Sequence, residues 1–402
     1  MHEPPRYPGR IRTDTTNAFA HHTLRVRVPA IVRAVLERHP DYAAEVHAGL
    51  EELAGAMVGG APLPPLLGDA PGAREYRAAL AARDGEGWLS TDWLFAEPYA
   101  YRQLVERTGY WQDGRDPFFS NKQEEYASPA HATALERALE PTGGREQRLH
   151  ELFGAALFGN RIDLSFTASR ERGLVTEADD LLLDEREGAV RAVLAGSGPV
   201  HVVADNAGTE LTLDLVLADF VLHELGCEVV VHVKTHPTFV SDATVFDVRA
   251  FLGAPQGAAS RDTTLERAAL RVRESNAAVA AFAERLRAAL AAGRLVLAPH
   301  PFWTGPESLW SLPPELVARF SGARLVVLKG DANYRRAVGD AVWPVSTRFA
   351  DVTAAFPAPL LALRTLKSDP IVGLSEERAH ALDESDPTWR VNGKRGVASF
   401  RR

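Results

Sequence analysis

The chain has 402 residues, a length that suits two domains or one large domain with an appendage. A hydrophobic fraction of 46% and a charged fraction of 24% are ordinary for a globular protein with a sizeable core. The formal net charge of −8 argues against nucleic acid as the main partner, because phosphate backbones attract basic surfaces, and no apolar run is long enough to span a membrane.

The N-terminus and the single cysteine favour a cytoplasmic location. Residues 1–6 lack the charged and then apolar pattern of a signal peptide. Cys227 cannot form an internal disulfide, which fits a reducing compartment. Because Cys227 lies beside a run of valines, we interpret it as buried filling rather than as a nucleophile.

Residues 1–170 have the spacing of a helical N-terminal subdomain. Apolar side chains recur at helical intervals, and the Gly/Pro-rich sequence at 59–65 forms a linker. Pro98 is expected to break one of the helices. The helical stretches lie at 31–36, 42–57, 74–83, 93–110 and 146–158.

At about residue 171 the pattern changes to that of an α/β domain, which we place at 171–402. Five apolar runs are typical of strands buried on both faces, at 200–204, 228–233, 294–298, 324–328 and 359–363. Helical patterns alternate with them at 211–225, 245–252, 265–292 and 314–320. This alternation predicts a three-layer, Rossmann-like α/β fold with a mostly parallel sheet. The tail after residue 385 is polar, and Trp389 is expected to tie it down.

Polar side chains follow the carboxyl end of each predicted strand, where open α/β sheets bind their ligands. In chain order these ends are Asp205-Asn206, Lys234, His300, Lys329-Gly330-Asp331 and the segment 364–367. Carboxylates, an amide and cations therefore converge on one edge of the sheet. We interpret this edge as a site for a divalent metal ion and a phosphate.

Asp205, Asn206 and Asp242 are the candidate metal ligands. They offer only oxygen atoms, the ligand type that Mg2+ and Mn2+ prefer. Asp and Asn also cap helices and turns at such positions, so a purely structural role stays open for each of them.

The segment 329–336 and Lys367 are the candidate phosphate site. Gly330 allows close backbone approach, and the amides after it could open a helix that binds an anion. Lys367 could neutralise a phosphoryl group as a compact charge. The alternatives are a solvated loop capped by Asp331, and an ordinary surface lysine. The candidate substrate-binding residues are Gly330, Asp331, Asn333, Tyr334, Arg335 and Lys367.

Several familiar motifs are missing from the sequence. It contains no Gly-x-x-x-x-Gly-Lys-Ser/Thr loop, no Gly-x-Gly-x-x-Gly after the first predicted strand and no Gly-x-Ser-x-Gly. These absences argue against a P-loop NTPase, a dinucleotide enzyme and a serine hydrolase. His300 could contact substrate, although such a histidine is more often a hydrogen-bonded structural group.

Three motifs together resemble the DUF89 family: Asp205-Asn206-Ala207-Gly208-Thr209-Glu210-Leu211, Lys329-Gly330-Asp331-Ala332-Asn333-Tyr334-Arg335 and Arg364-Thr365-Leu366-Lys367. The last is similar to the motif of subfamily III, the group that contains the acidic-residue methyltransferase 1 proteins. The stretch 158–165, which includes Asn160, also resembles the family. The resemblance extends from about Val28 to Lys367.

The resemblance implies a damage-control enzyme, a metal-dependent phosphatase of small phosphorylated metabolites such as fructose 1-phosphate or fructose 6-phosphate. It implies a divalent metal (Mn2+, Mg2+, Co2+ or Ni2+) held by Asp205, Asn206 and Asp242. Asp205 and Asn206 would be catalytic, Asp205 as a metal ligand alone or also as nucleophile or base. Residues 331–335 and Lys367 would bind substrate.

The helical part would cover the sheet edge and form a wall that faces the sugar, with Asp116, Asn121, Lys122 and Asn160 as weaker candidates. Two other functions stay open at this stage. One is an S-adenosylmethionine-dependent protein-glutamate carboxyl methyltransferase, although its glycine-rich loop is missing. The other is a non-catalytic phosphosugar-binding protein. We expect no nucleic-acid or membrane partner, and no protein partner can be predicted.

Overall fold

The computed structural model describes residues 8–140, 143–159, 180–256, 264–274 and 276–402. The candidate residue Asn160 and the rest of the stretch up to 165 lie outside the described residues. The domain boundary expected at residue 170 falls in the same gap and stays a prediction.

Helices make up the regular structure of residues 8–159, as the sequence predicts. Pro98 does not break its helix: α5 runs through it, buried on all sides, so packing outweighs the hydrogen bond that proline removes. The helices are α1 (Ala18–His22), a π-helical turn (Thr23–Arg27), α2 (Val28–Arg38), α3 (Ala44–Gly59), α4 (Ala73–Ala81), α5 (Trp93–Arg107), α6 (Tyr110–Asp113), α7 (Phe119–Tyr126), α8 (Pro129–Leu139) and α9 (Arg145–Phe158).

A seven-stranded sheet follows, in the order β1-β7-β6-β5-β2-β3-β4. All neighbouring strands are parallel except β6 and β7, so the prediction of a mostly parallel sheet is confirmed. The strands are β1 (Leu181–Asp184), β2 (Val200–Val203), β3 (Val229–His232), β4 (Leu295–Leu297), β5 (Leu325–Lys329), β6 (Leu360–Thr365) and β7 (Gly396–Arg401).

The five predicted strands are all present, and the structure adds β1 and β7. β7 lies in the tail that the sequence shows only as polar, and it pairs with β6 along its whole length. Trp389 is fully buried and donates from its indole nitrogen to Asp383 Oδ1 at 2.7 Å, which anchors the tail as expected.

The helical segment predicted at 265–292 is two helices rather than one. The side chain of Asn276 accepts from the backbone nitrogen of Ala278 and so caps a new helix. The helices of this part are α10 (Arg186–Ala195), α11 (Thr209–His223), α12 (Val245–Leu252), α13 (Thr264–Glu274), α14 (Ala277–Ala291), α15 (Pro314–Phe320), α16 (Gly330–Ala337), α17 (Phe349–Val352) and α18 (Glu376–Ser385).

The sheet separates two hydrophobic clusters, one on each face. Because successive side chains of a strand point to opposite faces, Val202 of β2 joins the first cluster and Val203 the second. The first cluster also takes in Leu135 of α8 and Leu152 of α9, whereas α2, α3 and α5 build a third cluster of their own. No helix in the described part of the chain is both long and apolar enough to cross a membrane.

Candidate active site

The connectivity of the sheet marks one crevice as the expected ligand site. From β2 the chain proceeds to β3 and β4 on one side, and later returns to add β5 and β6 on the other side of β2. In open α/β sheets, ligands bind outside the carboxyl ends of the strands where the winding direction reverses. Asp205-Asn206 follow β2, and Gly330-Asp331 begin at the end of β5. The two strongest sequence motifs therefore flank the same crevice.

The loop after β3 folds back onto the end of β2 and brings Asp242 to the pair Asp205-Asn206. Asn206 and Asp242 form an antiparallel bridge, and the backbone nitrogen of Ala243 donates to the carbonyl oxygen of Asp205 at 2.7 Å. Ser241 Oγ donates to Asn206 Oδ1 at 2.7 Å. Asp242, more than thirty residues further along the chain, is therefore a neighbour of Asp205 and Asn206.

This returning loop contains two consecutive residues in a backbone conformation that side chains disfavour. Phe239 has a φ of 47° and Val240 a φ of 74°, and a β-branched residue in this region is a clear outlier. The ring of Phe239 packs against Tyr101 of α5, with centroids 5.2 Å apart. Such strain persists only where the surroundings enforce it, and it is found most often at functional sites. Here the helical part of the chain supplies the enforcing contact.

Burial and mutual repulsion raise the pKa values of the two aspartates. Asp205 is buried, and its pKa lies well above its ordinary value because of burial first and then the charges of Asp242 and Glu210. Burial raises the pKa of Asp242 to about 6, although the ammonium of Lys234 opposes the shift from 3.2 Å. The surroundings therefore do not fully balance the negative charge that each of these carboxylates would carry when ionised.

A second group of buried charged residues adjoins the three candidate metal ligands. Lys329 Nζ contacts Glu210 Oε1 and Asp214 Oδ1, each at 2.9 Å. Burial raises the pKa of Asp214 to about 7, whereas for Glu210 the effect of burial is outweighed by Lys329 and the pKa is lowered. Asn206 Nδ2 donates to Glu210 Oε2 at 3.0 Å, which joins this group to the three candidate ligands. Sequence reasoning missed Glu210 and Asp214, whose spacing of four places both on one face of α11.

The residues fit a divalent cation in two respects. Among the described residues, four buried carboxyl groups (Asp205, Glu210, Asp214 and Asp242) lie in this cluster with two buried ammonium groups (Lys234 and Lys329). Asp242 Oδ2 is buried, and among the described residues it forms an ion pair with Lys234 Nζ at 3.2 Å but no hydrogen bond of good geometry. The described residues contain no group of three or more His, Cys, Asp or Glu placed to hold a metal ion. Asp205, Asn206 and Asp242 are not such a group, because one of the three is an asparagine. All three can bind a metal ion through oxygen atoms.

Gly330 allows the second strand end to approach Asp205. Its φ is 82°, and a Cβ atom at this position would lie 1.9 Å from Asp205 Oδ2. Asn333 ties the two strand ends together, because its Nδ2 donates to the carbonyl of Lys329 at 2.8 Å and to that of Ala204 at 3.4 Å. Its Oδ1 is buried without a hydrogen-bond partner among the described residues.

The other candidates on α16 are committed to buried contacts. Tyr334 accepts through its hydroxyl from the backbone nitrogen of Val372 at 3.1 Å. The guanidinium of Arg335 pairs with Asp340 at 2.8 Å and with Glu97 at 2.6 Å, and it lies 3.5 Å from the centroid of Trp93. These contacts hold α16 against the helical part, and none of them is with the three candidate metal ligands.

Asp331 connects α16 to the Arg-Thr-Leu-Lys motif. Its Oδ1 accepts from Arg364 Nε at 2.7 Å and from the backbone nitrogen of Lys367 at 3.1 Å. Burial by itself would raise the pKa of Asp331, but the positive charge of Arg364 outweighs it and the pKa is lowered. Asp331 therefore stays ionised and fixes the backbone from which the side chain of Lys367 extends.

Lys367 is exposed, and its ammonium makes no ion pair within the part of the chain that the structure describes. Its positive charge nevertheless lowers the pKa values of Asp205, Glu210 and Glu125, so Lys367 lies near this cluster of carboxylates. An exposed cation that faces carboxylates but forms an ion pair with none of those described suits a site that receives an anion.

The weaker candidates have other partners. Lys122 Nζ lies 2.9 Å from both Asp116 and Asp247, in a buried group that joins α7 to the start of α12. The backbone nitrogen of Asn121 donates to the carbonyl oxygen of Phe118 at 3.1 Å. His300 caps the turn at Phe302 and lies 3.4 Å from Glu315, which is the structural role that the sequence leaves open.

Comparisons with known proteins identify the family to which the chain belongs. A model of the damage-control phosphatase ARMT1-like domain matches residues 23–382. The chain belongs to this family. The rat and mouse proteins named damage-control phosphatase ARMT1 are each 30% identical to it, and the human protein of that name is 28% identical; each alignment covers 98% of both chains.

Membership of the family confirms the resemblance to DUF89 subfamily III and the prediction of a phosphatase at family level. Among solved structures, a DUF89 family protein from Pyrococcus horikoshii covers 94% of this chain and 98% of its own, at 16% identity and a TM-score of 0.48.

Proposed function

We propose that this protein is a metal-dependent phosphatase that hydrolyses phosphomonoesters of small metabolites. The observation that carries the proposal is the excess of buried negative charge at the crevice between β2 and β5, beside an exposed lysine that lacks an ion pair among the described residues. Buried charge is costly unless it is paired or binds a cation. A cation at the carboxylates, next to Lys367, would form a receptor for a phosphoryl group.

Asp205, Asn206 and Asp242 would hold the metal, for which Mn2+, Mg2+, Co2+ and Ni2+ are the ions to test. When bound, the metal supplies positive charge that stabilises the phosphoryl oxygens and helps to position the attack. Lys234 stays beside Asp242 and keeps it ionised. Ser241 orients the amide of Asn206 so that the side chain cannot rotate freely.

Asp205 is the carboxylate that we assign to the reaction. It is buried, it lies against Gly330 at the exact reversal point of the sheet, and it forms no ion pair within the described residues. Lys367 would neutralise a phosphoryl oxygen as negative charge moves to the leaving group. Asp331 and Asn333 act as positioning residues, since one fixes the backbone of Lys367 and the other joins the two strand ends.

We propose sugar phosphates such as fructose 1-phosphate and fructose 6-phosphate as the substrates, and the cytoplasm as the location. The relatives carry the name of damage-control phosphatases, which supports a small phosphorylated metabolite but does not identify it. The crevice has no glycine-rich turn of the kind that S-adenosylmethionine enzymes use, so no observation favours the methyltransferase alternative.

A screen of phosphate release with each metal against a panel of phosphomonoesters tests the proposal. We expect release that requires added metal and is abolished by a chelator, with sugar phosphates among the best substrates. Calorimetry with fructose 1-phosphate runs in parallel. If the protein binds the sugar phosphate in the presence of metal but releases phosphate from no ester, it is a non-catalytic phosphosugar-binding protein and the proposal fails.

A further inference from the structure

Glu125, on α7 of the helical part, contacts the loop that joins the end of β2 to the start of α11. Its Oε1 accepts from the backbone nitrogen of Thr209, at the first residue of α11, at 2.8 Å. The carboxylate lies directly over Gly208: a Cβ atom there would be 2.3 Å from Glu125 Cδ. Gly208 also has a φ of 68°, so both its conformation and this contact require glycine. Glu125 can therefore approach the loop after β2 only because residue 208 is glycine.

The charge of Glu125 has no matching cation. Among the described residues no lysine, arginine or histidine forms an ion pair with it, although Lys367 acts on it from a distance. Glu210 adds a second negative charge nearby. A largely buried carboxylate beside other carboxylates destabilises the fold, and such groups are found preferentially at functional sites. The positive end of the α11 dipole offsets this charge only in part, because burial still leaves the pKa of Glu125 raised.

A carboxylate in this position would repel a phosphoryl group but would accept hydrogen bonds from hydroxyl groups. Lys367, together with a metal ion held by the three candidate ligands, would attract the phosphoryl end of a substrate. The two kinds of charge thus favour one orientation of the substrate. Its phosphoryl group would lie at the metal and Lys367, and its hydroxyl-bearing part would lie toward α7.

We propose that Glu125 is a specificity-determining residue that accepts hydrogen bonds from hydroxyl groups of a polyhydroxylated phosphomonoester. The proposal rests on the proposed phosphatase function, and it assigns to the helical part a direct contact with substrate. Glu125 then selects sugar and polyol phosphates over phosphate esters whose leaving group has no hydroxyl groups.

The test is the substitution Glu125→Gln, which keeps an oxygen that can accept from Thr209 while it removes the charge. Steady-state kinetics with Mn2+ compare fructose 1-phosphate with p-nitrophenyl phosphate, an ester without hydroxyl groups. We expect the ratio of kcat/KM for the sugar phosphate to that for the aryl phosphate to fall by about tenfold or more, mainly through KM.

Glu124→Gln is the matched control, because it removes the same charge from the neighbouring position, where the side chain is exposed and pairs with Arg38. It should leave the ratio unchanged. An unchanged ratio in Glu125→Gln, or an equal loss for both esters together with a lower Tm, would show that Glu125 only caps α11 and would overturn the inference. The wild-type protein separates this from a failure of the proposed function, which would appear as no hydrolysis of either ester.

Discussion

The two strand ends that meet in the crevice use charge in opposite ways. The acidic side comprises Asp205, Asn206, Glu210 and Asp242, where buried carboxyl groups outnumber the buried ammonium groups among the described residues. The arginine side comprises Asp331, Tyr334, Arg335 and Arg364, where each charge has a close partner of opposite sign or an aromatic face. The acidic side is therefore poised to bind, and the arginine side holds the scaffold in place.

This contrast shows why a motif cannot be taken as a site in its entirety. Lys329 to Arg335 form one continuous motif, but only its first part lies at the crevice. Gly330 approaches Asp205 there, and Asp331 contacts the backbone of Lys367. Its last part is buried against Glu97 and Trp93. Substitutions on the acidic side should change activity, and substitutions at Arg335 should change stability.

The largest expected effect is at Asp205. Asp205→Ala should lower metal-stimulated phosphate release by roughly a thousandfold or more, because it removes a ligand and the carboxylate assigned to the reaction. The Tm should stay the same or rise, since the substitution also removes the repulsion by Asp242 and Glu210. Phosphate release and thermal unfolding measure the two effects. Asp219→Ala is the control, as it removes a carboxylate near the far end of α11 that pairs with Arg285. Retained activity in Asp205→Ala would refute the site assignment.

At Arg335 we expect a loss of stability. Arg335→Met should lower the free energy of unfolding by about 3–5 kcal/mol, because Glu97 and Asp340 are left buried without their cation. Urea unfolding measures it, and Arg33→Met, which breaks only an exposed pair with Glu51, serves as the control. If instead Arg335→Met keeps its stability and KM for a sugar phosphate rises, Arg335 binds substrate and the contrast between the two sides is wrong.

The smallest effect is expected at the strained loop. A non-glycine residue at the φ of Val240 costs about 1–3 kcal/mol, whereas glycine adds about 0.5–1 kcal/mol of chain entropy. Val240→Gly should therefore be at least as stable in urea as Val240→Ala, which keeps the strain and loses packing. We also expect Val240→Gly to bind Mn2+ more weakly by calorimetry, since Asp242 is then held less firmly. A Val240→Gly protein that is clearly less stable than Val240→Ala would show that the loop is not strained.

Much of the fold could be predicted from local pattern alone. The runs at 200–204 and 324–328 are strands because β-branched and aliphatic residues without interruption suit a sheet covered on both faces. β7 could not be predicted in this way, because its sequence is mixed and its strand conformation depends on the hydrogen bonds of β6. The same limit applies to Pro98, whose position inside α5 is tolerated only because neighbouring helices bury it.

For the site, the sequence by itself determined which chemical groups stand at the ends of the strands: Asp205, Asn206, Gly330 and Lys367 are set by residue type and by the place where each apolar run stops. Only the tertiary structure decided which groups share a space. In the folded chain Asp242 pairs with Asn206, Glu125 lies over Gly208, and Arg335 forms an ion pair with Glu97. The physical reason is that side-chain type follows from local sequence, whereas the pairing of a charge depends on segments that are distant in the chain and meet only when the core packs.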